Sequence, residues 1–166
     1  MRRQKLLQNR SLSIIKALGA AGEAKNIINL RFTHKESPIT LLEKITLKEP
    51  RRILEGIQAL DFVKECVILQ TCNRAEIYAA ISNPEFKKAG SEIAEYWRQR
   101  TGIDKEEFYQ PLKEAFNAQA LIHLLRLTSG LESMIVGEDQ ILGQVQEAVD
   151  EAKQVWNSRT DSGDKF

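Results

Sequence analysis

Cys66-Val-Ile-Leu-Gln-Thr-Cys72 and Arg74-Ala-Glu-Ile-Tyr-Ala-Ala-Ile81 decide the fold. Both are compact apolar runs, and only Asn73 separates their ends, a spacing that reads as a tight antiparallel pair. Upstream, Asn26-Ile-Ile-Asn-Leu-Arg-Phe-Thr-His34 alternates loosely and reads as a first strand. Ser37-Pro38 then opens a helix, with Ser37 as the cap, Pro38 at the first helical position and Leu41, Leu42 and Ile45 as its apolar groups. A second helix follows Pro50. Downstream of the pair, Asn83-Pro84 breaks the chain, Ile93, Tyr96, Trp97 and Arg100 recur at helical spacing, and residues 112–116 supply a fourth strand. Asn117 caps a helix over 118–131, whose core face is read as Leu121, Leu124, Leu125, Thr128 and Leu131. A last helix, from Glu138 to Trp156, buries Ile141, Leu142, Val145, Val149, Ala152 and Trp156; Ser158 to Phe166 lacks that periodicity and reads as a frayed tail. The order of elements predicts an α+β, ferredoxin-like antiparallel sheet with helices packed on one face, followed by a helical segment.

A chain of 166 residues, 42% hydrophobic and 28% charged, can bury a core, which excludes disordered and low-complexity classes. Its net charge of +1 marks neither a nucleic-acid binder nor an acidic solvating protein. The distribution is uneven. Residues 1–25 carry six basic groups against Glu23, a balance of +5 that leaves −4 on residues 26–166. Lys16 interrupts the apolar stretch Leu12 to Leu18, so this arm reads as a solvated basic extension of a cytoplasmic protein rather than a secretory leader. No segment approaches the ~20 apolar residues that cross a bilayer. Cys66 and Cys72 are too few for a disulfide framework, and on one strand they would stand about 6 × 3.3 Å apart. The expected division is a basic extension over 1–25, a folded domain over 26–156 and a polar tail over 157–166.

Cys72 closes a strand and is followed at once by Asn73 and Arg74, which presents its thiol at a turn and suits a nucleophile. The competing reading is a small buried hydrophobe, and Cys66, at the opening of an apolar run, takes that reading outright. Arg74 either favours the Cys72 thiolate or holds a carboxylate with its planar fork. His123 shares a helical face with Gln119, Arg126 and Gly130, away from the leucine stripe; a ligand-facing histidine and an inconsequential exposed one both fit. His34, beside Lys35, reads as structural. Two cysteines and two isolated histidines match no zinc spacing, and neither a Gly-x-Gly-x-x-Gly turn nor a phosphate-binding Gly-x-x-x-x-Gly-Lys-Ser/Thr loop occurs.

Thr71-Cys72-Asn73-Arg74 with Glu76-Ile77-Tyr78 resembles the nucleophile motif of the glutamyl-tRNA reductases, in their N-terminal catalytic domain. Ser129-Gly130-Leu131-Glu132-Ser133-Met134, with Gly137-Glu138 and Gln140-Ile-Leu-Gly-Gln-Val145, resembles that family's long second signature. His123, seven residues before Gly130, takes the position of its active-site histidine, and His34-Lys35 with Pro38 resembles its opening motif. The similarity covers about residues 26–156. It implies that Cys72 attacks the ester joining glutamate to its tRNA, leaving a thioester that NADPH reduces to glutamate-1-semialdehyde, the first committed intermediate of five-carbon tetrapyrrole (porphyrin) biosynthesis. It also implies that Arg74 holds the substrate carboxylate, that Thr71, Glu76, Ser129, Ser133, Glu138 and Gln140 line the glutamate pocket, and that His123 activates or orients at the thioester. Implied partners are glutamyl-tRNA, glutamate-1-semialdehyde aminomutase and, in complete members, a second copy of the chain.

Arg31 stands where the family pattern has glycine, Glu36 where it has a small hydroxyl residue, Ala75 where it has threonine and Asp139 where it has proline. Complete members continue into an NADPH-binding domain and a dimerisation domain, whereas this sequence ends in a polar tail. The expectation is therefore a chain that forms the thioester and cannot reduce it alone, with slow discharge to water making it a glutamyl-tRNA esterase. A non-catalytic tRNA-binding or regulatory remnant and a thiol hydrolase of small esters are the competing expectations.

Overall fold

Ile28, Leu30 and Phe32 point to one side of the first strand, β1 (Ile27–Thr33), and Asn29, Arg31 and Thr33 to the other, as the two-residue period of a strand requires. The computed structural model describes residues 26–82, 84–132 and 140–163, with side chains described as far as Ser158. Three more strands, β2 (Val63–Thr71), β3 (Arg74–Ile81) and β4 (Lys113–Phe116), complete a sheet of order β2-β3-β1-β4. Every neighbouring pair is antiparallel. This is the ferredoxin-like arrangement that the order of elements predicts.

Register sorts the sheet into two unlike faces. Leu30 and Ile68 both pair with Ile77, on the first face, while Arg31 and Leu69 both pair with Glu76, on the second. The first face is covered by α1 (Ile39–Ile45), α2 (Pro50–Gln58), α3 (Phe86–Thr101) and α4 (Lys105–Tyr109). Phe32 sits edge-on to Trp97 and Phe108, with centroids 5.1 and 5.0 Å away, and all three rings are fully buried. Each contributes on the order of 2–3 kcal/mol through apolar area removed from water. The indole Nε1 of Trp97 donates to the Ile45 carbonyl at 3.3 Å, so its one polar atom is satisfied.

The later helices, α5 (Ala118–Thr128) and α6 (Gln140–Gly163), form the segment that follows the sheet. α5 reaches the second face, where His123 meets Glu76 of β3. α6 runs along β2 and touches α2 and α5, burying Ile141, Leu142, Val145, Val149 and Ala152.

Several local readings are corrected. Two residues, Cys72 and Asn73, lie between β2 and β3 rather than one. Pro38 is itself the cap residue of α1, its extended backbone (ψ 153°) keeping it outside the helix, and the buried Ser37 hydroxyl has no partner among the described residues. Asn117 does precede α5, but its side chain accepts from the Ile27 amide at 3.2 Å and so serves β1 rather than the helix. α5 stops at Thr128 and buries Ala120, His123, Leu124, Leu127 and Thr128, while Leu125 and Leu131 of the expected core face are exposed. The helix is turned because His123 is drawn to Glu76, and Ala120, completely buried, lets it approach the sheet closely. In α6, Val155 is buried where Trp156 was expected, and the helix continues through Ser158 to Gly163, a stretch without proline. Asn83 lies outside the described residues.

Candidate active site

Cys72 and Asn73 form the two-residue loop of the β2–β3 hairpin, and the Cys72 thiol is exposed. The loop is anchored on both sides of Asn73. Its amide donates to the Thr71 hydroxyl at 3.2 Å, and its carbonyl accepts from the His34 amide at 2.9 Å. Cys66, six residues earlier on β2, is fully buried, and burial pushes its thiol far above the ordinary range. The two cysteines thus differ as the sequence suggests, one presented and one inert.

Immediately behind the loop, Arg74, Glu76 and Tyr78 follow one another on the second face of β3 and are all buried. Glu76 is the hub. Its Oε1 accepts from Arg74 Nη1 at 2.9 Å; its Oε2 meets His123 Nε2 at 2.9 Å and accepts from Tyr78 Oη at 2.8 Å and Asn29 Nδ2 at 3.2 Å. Burial alone would raise the Glu76 carboxyl, but the His123 contact, the Arg74 charge and the Tyr78 hydroxyl outweigh it and hold it below its ordinary value. Tyr78 is pushed the other way, by burial and then by the adjacent carboxylate. Arg31 extends the network, its Nη1 donating to Asn29 Oδ1 at 2.7 Å.

The end of α5 closes over this cluster. Arg74 Nη2 donates to the Glu132 carbonyl, while the Glu132 carboxylate takes Lys35 Nζ at 2.8 Å and Arg126 Nε at 2.6 Å. Burial opposes its ionisation, yet those two cations bring it down to about 2. Three segments distant in sequence therefore meet at one residue: the turn after β1, the start of β3 and the end of α5. Among the described residues, no cluster of three His, Cys, Asp or Glu side chains offers a metal site. No helix described there is long and apolar enough to cross a membrane.

A family model described as "Glutamyl-tRNAGlu reductase, N-terminal domain" matches residues 30–160. The chain belongs to that family. Proteins named glutamyl-tRNA reductase from Cenarchaeum symbiosum and Thermobifida fusca are 45% and 35% identical to it, over 76% and 78% of this chain. The chain spans only 30% and 27% of those relatives. A solved structure, glutamyl-tRNA reductase from Methanopyrus kandleri, superposes with a TM-score of 0.62 at 28% identity, covering 80% of this chain and 29% of its own.

Of the residues that the glutamyl-tRNA reductase resemblance assigns to the site, Thr71 and Cys72 stand at the hairpin loop, Arg74 opens β3 beside it, and Glu76 joins Arg74 to His123 on the buried face; among the described residues no hydrogen bond links Cys72 to Arg74 or His123. Ser129 is exposed at the end of α5, its hydroxyl donating to the Arg126 carbonyl at 2.9 Å, and Gln140 is exposed at the start of α6. Ser133 and Glu138 lie outside the described residues. Asn29 and Tyr78, both bonded to Glu76, escaped the sequence reading. The signal for Tyr78 was present, since Arg74, Glu76 and Tyr78 repeat at the period of a single strand face. Asn29 carried none, because its partner is 47 residues away.

Proposed function

We propose that this chain performs the thiol step of glutamyl-tRNA reduction. The carrying observation is an exposed cysteine on a two-residue loop, backed directly by a buried Arg–Glu–His cluster. Sγ of Cys72 gives up its proton and bonds to the ester carbonyl carbon; the carbon–oxygen bond to the ribose breaks, and the released hydroxyl takes a proton. A polarisable thiolate suits this exchange because it is both a good nucleophile and a good leaving group.

The chain's own residues have distinct parts. Glu76, held ionised, binds His123 through Nε2 and so fixes the orientation of the ring. A substrate carboxylate is read by Arg74, whose Nη2 exchanges its bond to the Glu132 carbonyl for the incoming oxygen. Thr71, Ser129, Ser133, Glu138 and Gln140 are assigned to the same pocket, within a domain taken as residues 26–156. NADPH supplies hydride in the family, but the described residues form a wholly antiparallel sheet without the parallel strand–turn–helix crevice that cradles a dinucleotide. The thioester made here is passed on or discharged by water.

Incubation with tRNA carrying labelled glutamate tests the reading. Hydroxylamine-sensitive label is expected on the wild-type protein and none on Cys72→Ser. Retained tRNA affinity with no covalent label at any pH between about 7 and 9 would favour a non-catalytic tRNA-binding module instead. Equal turnover of activated esters lacking the glutamyl group would favour a general thiol hydrolase.

A further inference from the structure

On the opposite side of the sheet from the Glu76 cluster, the connection between α1 and α2 and the C-terminal half of α3 enclose an open groove of about 600 Å³. Lys44, Lys48, Arg52 and Arg100 line it, and Glu49 is the one acid among its lining residues. Residues 26–166 carry a net −4, so this groove inverts the sign of the body it is cut into. Its cations are unequal. Lys44 is paired with Glu107 at 2.7 Å and Arg52 with Glu49 at 3.4 Å. Lys48 and Arg100 have no carboxylate within ion-pair distance among the described residues, which leaves two uncompensated charges facing the same space.

The groove is also shaped. Tyr96 forms part of its wall, and the Arg100 guanidinium lies 4.4 Å from the centre of the Tyr96 ring, a stacked cation with its edge free to donate. Tyr96 packs against Gly56 of α2, where a Cβ would meet its hydroxyl and push the ring from its present place in the wall. The first turn of α2, which has no side-chain cap, adds the positive end of a helix to the same lining.

Position ties the groove to the thiol. Leu47, on its wall, is clasped by the Gln70 side chain, which accepts from the Leu47 amide at 2.7 Å and donates to the Leu47 carbonyl at 3.3 Å. Gln70 is two residues from Cys72, roughly 7 Å along an extended chain. Unpaired cations, a stackable guanidinium and a short reach to the nucleophile fit a polyanion whose end must arrive at Cys72.

We propose that this groove holds the phosphate backbone of an RNA strand next to its aminoacylated 3′ end, with Lys48 and Arg100 as the phosphate contacts and the Arg100–Tyr96 stack as a platform for a base. The proposal rests on the thioester reading above for the identity of the RNA, and adds the surface that positions it.

The test uses the 166-residue chain and uncharged tRNA for glutamate, with affinity measured across a salt series. Lys48→Glu/Arg100→Glu is expected to bind at least ~10-fold more weakly at low salt, with the slope of log affinity against log salt reduced by roughly 1.4–1.8, the value for two lost phosphate contacts. A control with the same net-charge change, Lys87→Glu/Lys153→Glu, keeps most of the affinity. Both changed pairs are exposed, and matching melting temperatures establish that they fold. Unchanged affinity and slope in the groove variant, or an equal loss in the control, overturns the proposal. Labelling of Cys72 by glutamyl-tRNA separates the two ideas. An unlabelled wild type whose RNA binding still depends on Lys48 and Arg100 removes the thioester reading and keeps the groove. Undiminished labelling and binding in the groove variant does the reverse.

Discussion

The two faces of this sheet are built from the same strands, one residue out of step, and are held by opposite physics. On the first, Phe32, Trp97 and Phe108 interlock as bare hydrocarbon, with one indole N–H satisfied by a backbone carbonyl. On the second, Arg74, Glu76, His123, Tyr78 and Asn29 are sealed with their charges and hydrogen bonds intact. Burial of apolar area stabilises the first without reservation. On the second, the desolvation of each ion offsets much of its attraction to its partner, so the cluster adds little net stability for its size. Its hub, Glu76, lies on the strand that follows the exposed Cys72 thiol.

Removing a single side chain should therefore hurt both faces, for different reasons. Trp97→Ala leaves a cavity between Phe32 and Phe108 and is expected to cost about 3–5 kcal/mol in denaturant unfolding. Glu76→Ala strands a buried guanidinium and is expected to cost about 3 kcal/mol. The contrast is sharpened by the pairwise change: Arg74→Met/Glu76→Leu removes the stranded charge and should recover part of that loss, the remainder coming from His123, Tyr78 and Asn29, which lose their shared acceptor, while giving no Cys72 label. A double variant less stable than Glu76→Ala would mean that the ion pair itself adds to the stability of the fold.

Acid should find the second face first. Glu76 is depressed in the folded protein relative to the unfolded chain, so the folded state binds fewer protons there; its contribution is present above the unfolded carboxyl value near 4.5 and is lost as pH falls through the folded one. Glu65 behaves oppositely. On the edge strand β2, burial raises it to about 7, and its Oε2 has no partner among the described residues. Its favourable contribution is complete below about 4.5 and disappears as pH rises to about 7. Glu65→Gln should then gain about 1 kcal/mol over the wild type at pH 8 and nothing at pH 4, the figure being discounted for the group's partial exposure. A pH-independent difference between the two would disprove that assignment. The smallest effect belongs to the first face. Gly90→Ala places a Cβ 3.8 Å from Phe116 and 3.9 Å from Ile28, ordinary contacts, inside a helix, and should add about 0.5–1 kcal/mol.

What the sequence revealed divides along the same line. The strands, the hairpin and the exposed loop followed from alternation and from turn spacing, which are local. The orientation of α5 did not. Leu121, Leu125 and Leu131 favour one helical side by hydrophobic count, but one histidine bound to a carboxylate 47 residues earlier selects another. The same is true of Arg74: its position beside Cys72 was legible, whereas its burial against Glu76 and the Glu132 carbonyl depends on a helix end that arrives from far along the chain. Long-range polar contacts leave no periodic trace, and the candidate site is made of them.

The double anchoring of Asn73 has a consequence for how a reagent meets the sulfur. With the amide on one side of that residue tied to the Thr71 hydroxyl and the carbonyl on the other tied to the His34 amide, the main chain following Cys72 has little freedom left. What remains is rotation about a single bond, with three staggered positions for Sγ. The cysteine behaves as a three-position pointer on a fixed mount, and whatever approaches the sulfur meets one of three directions rather than a loop that must fold around it.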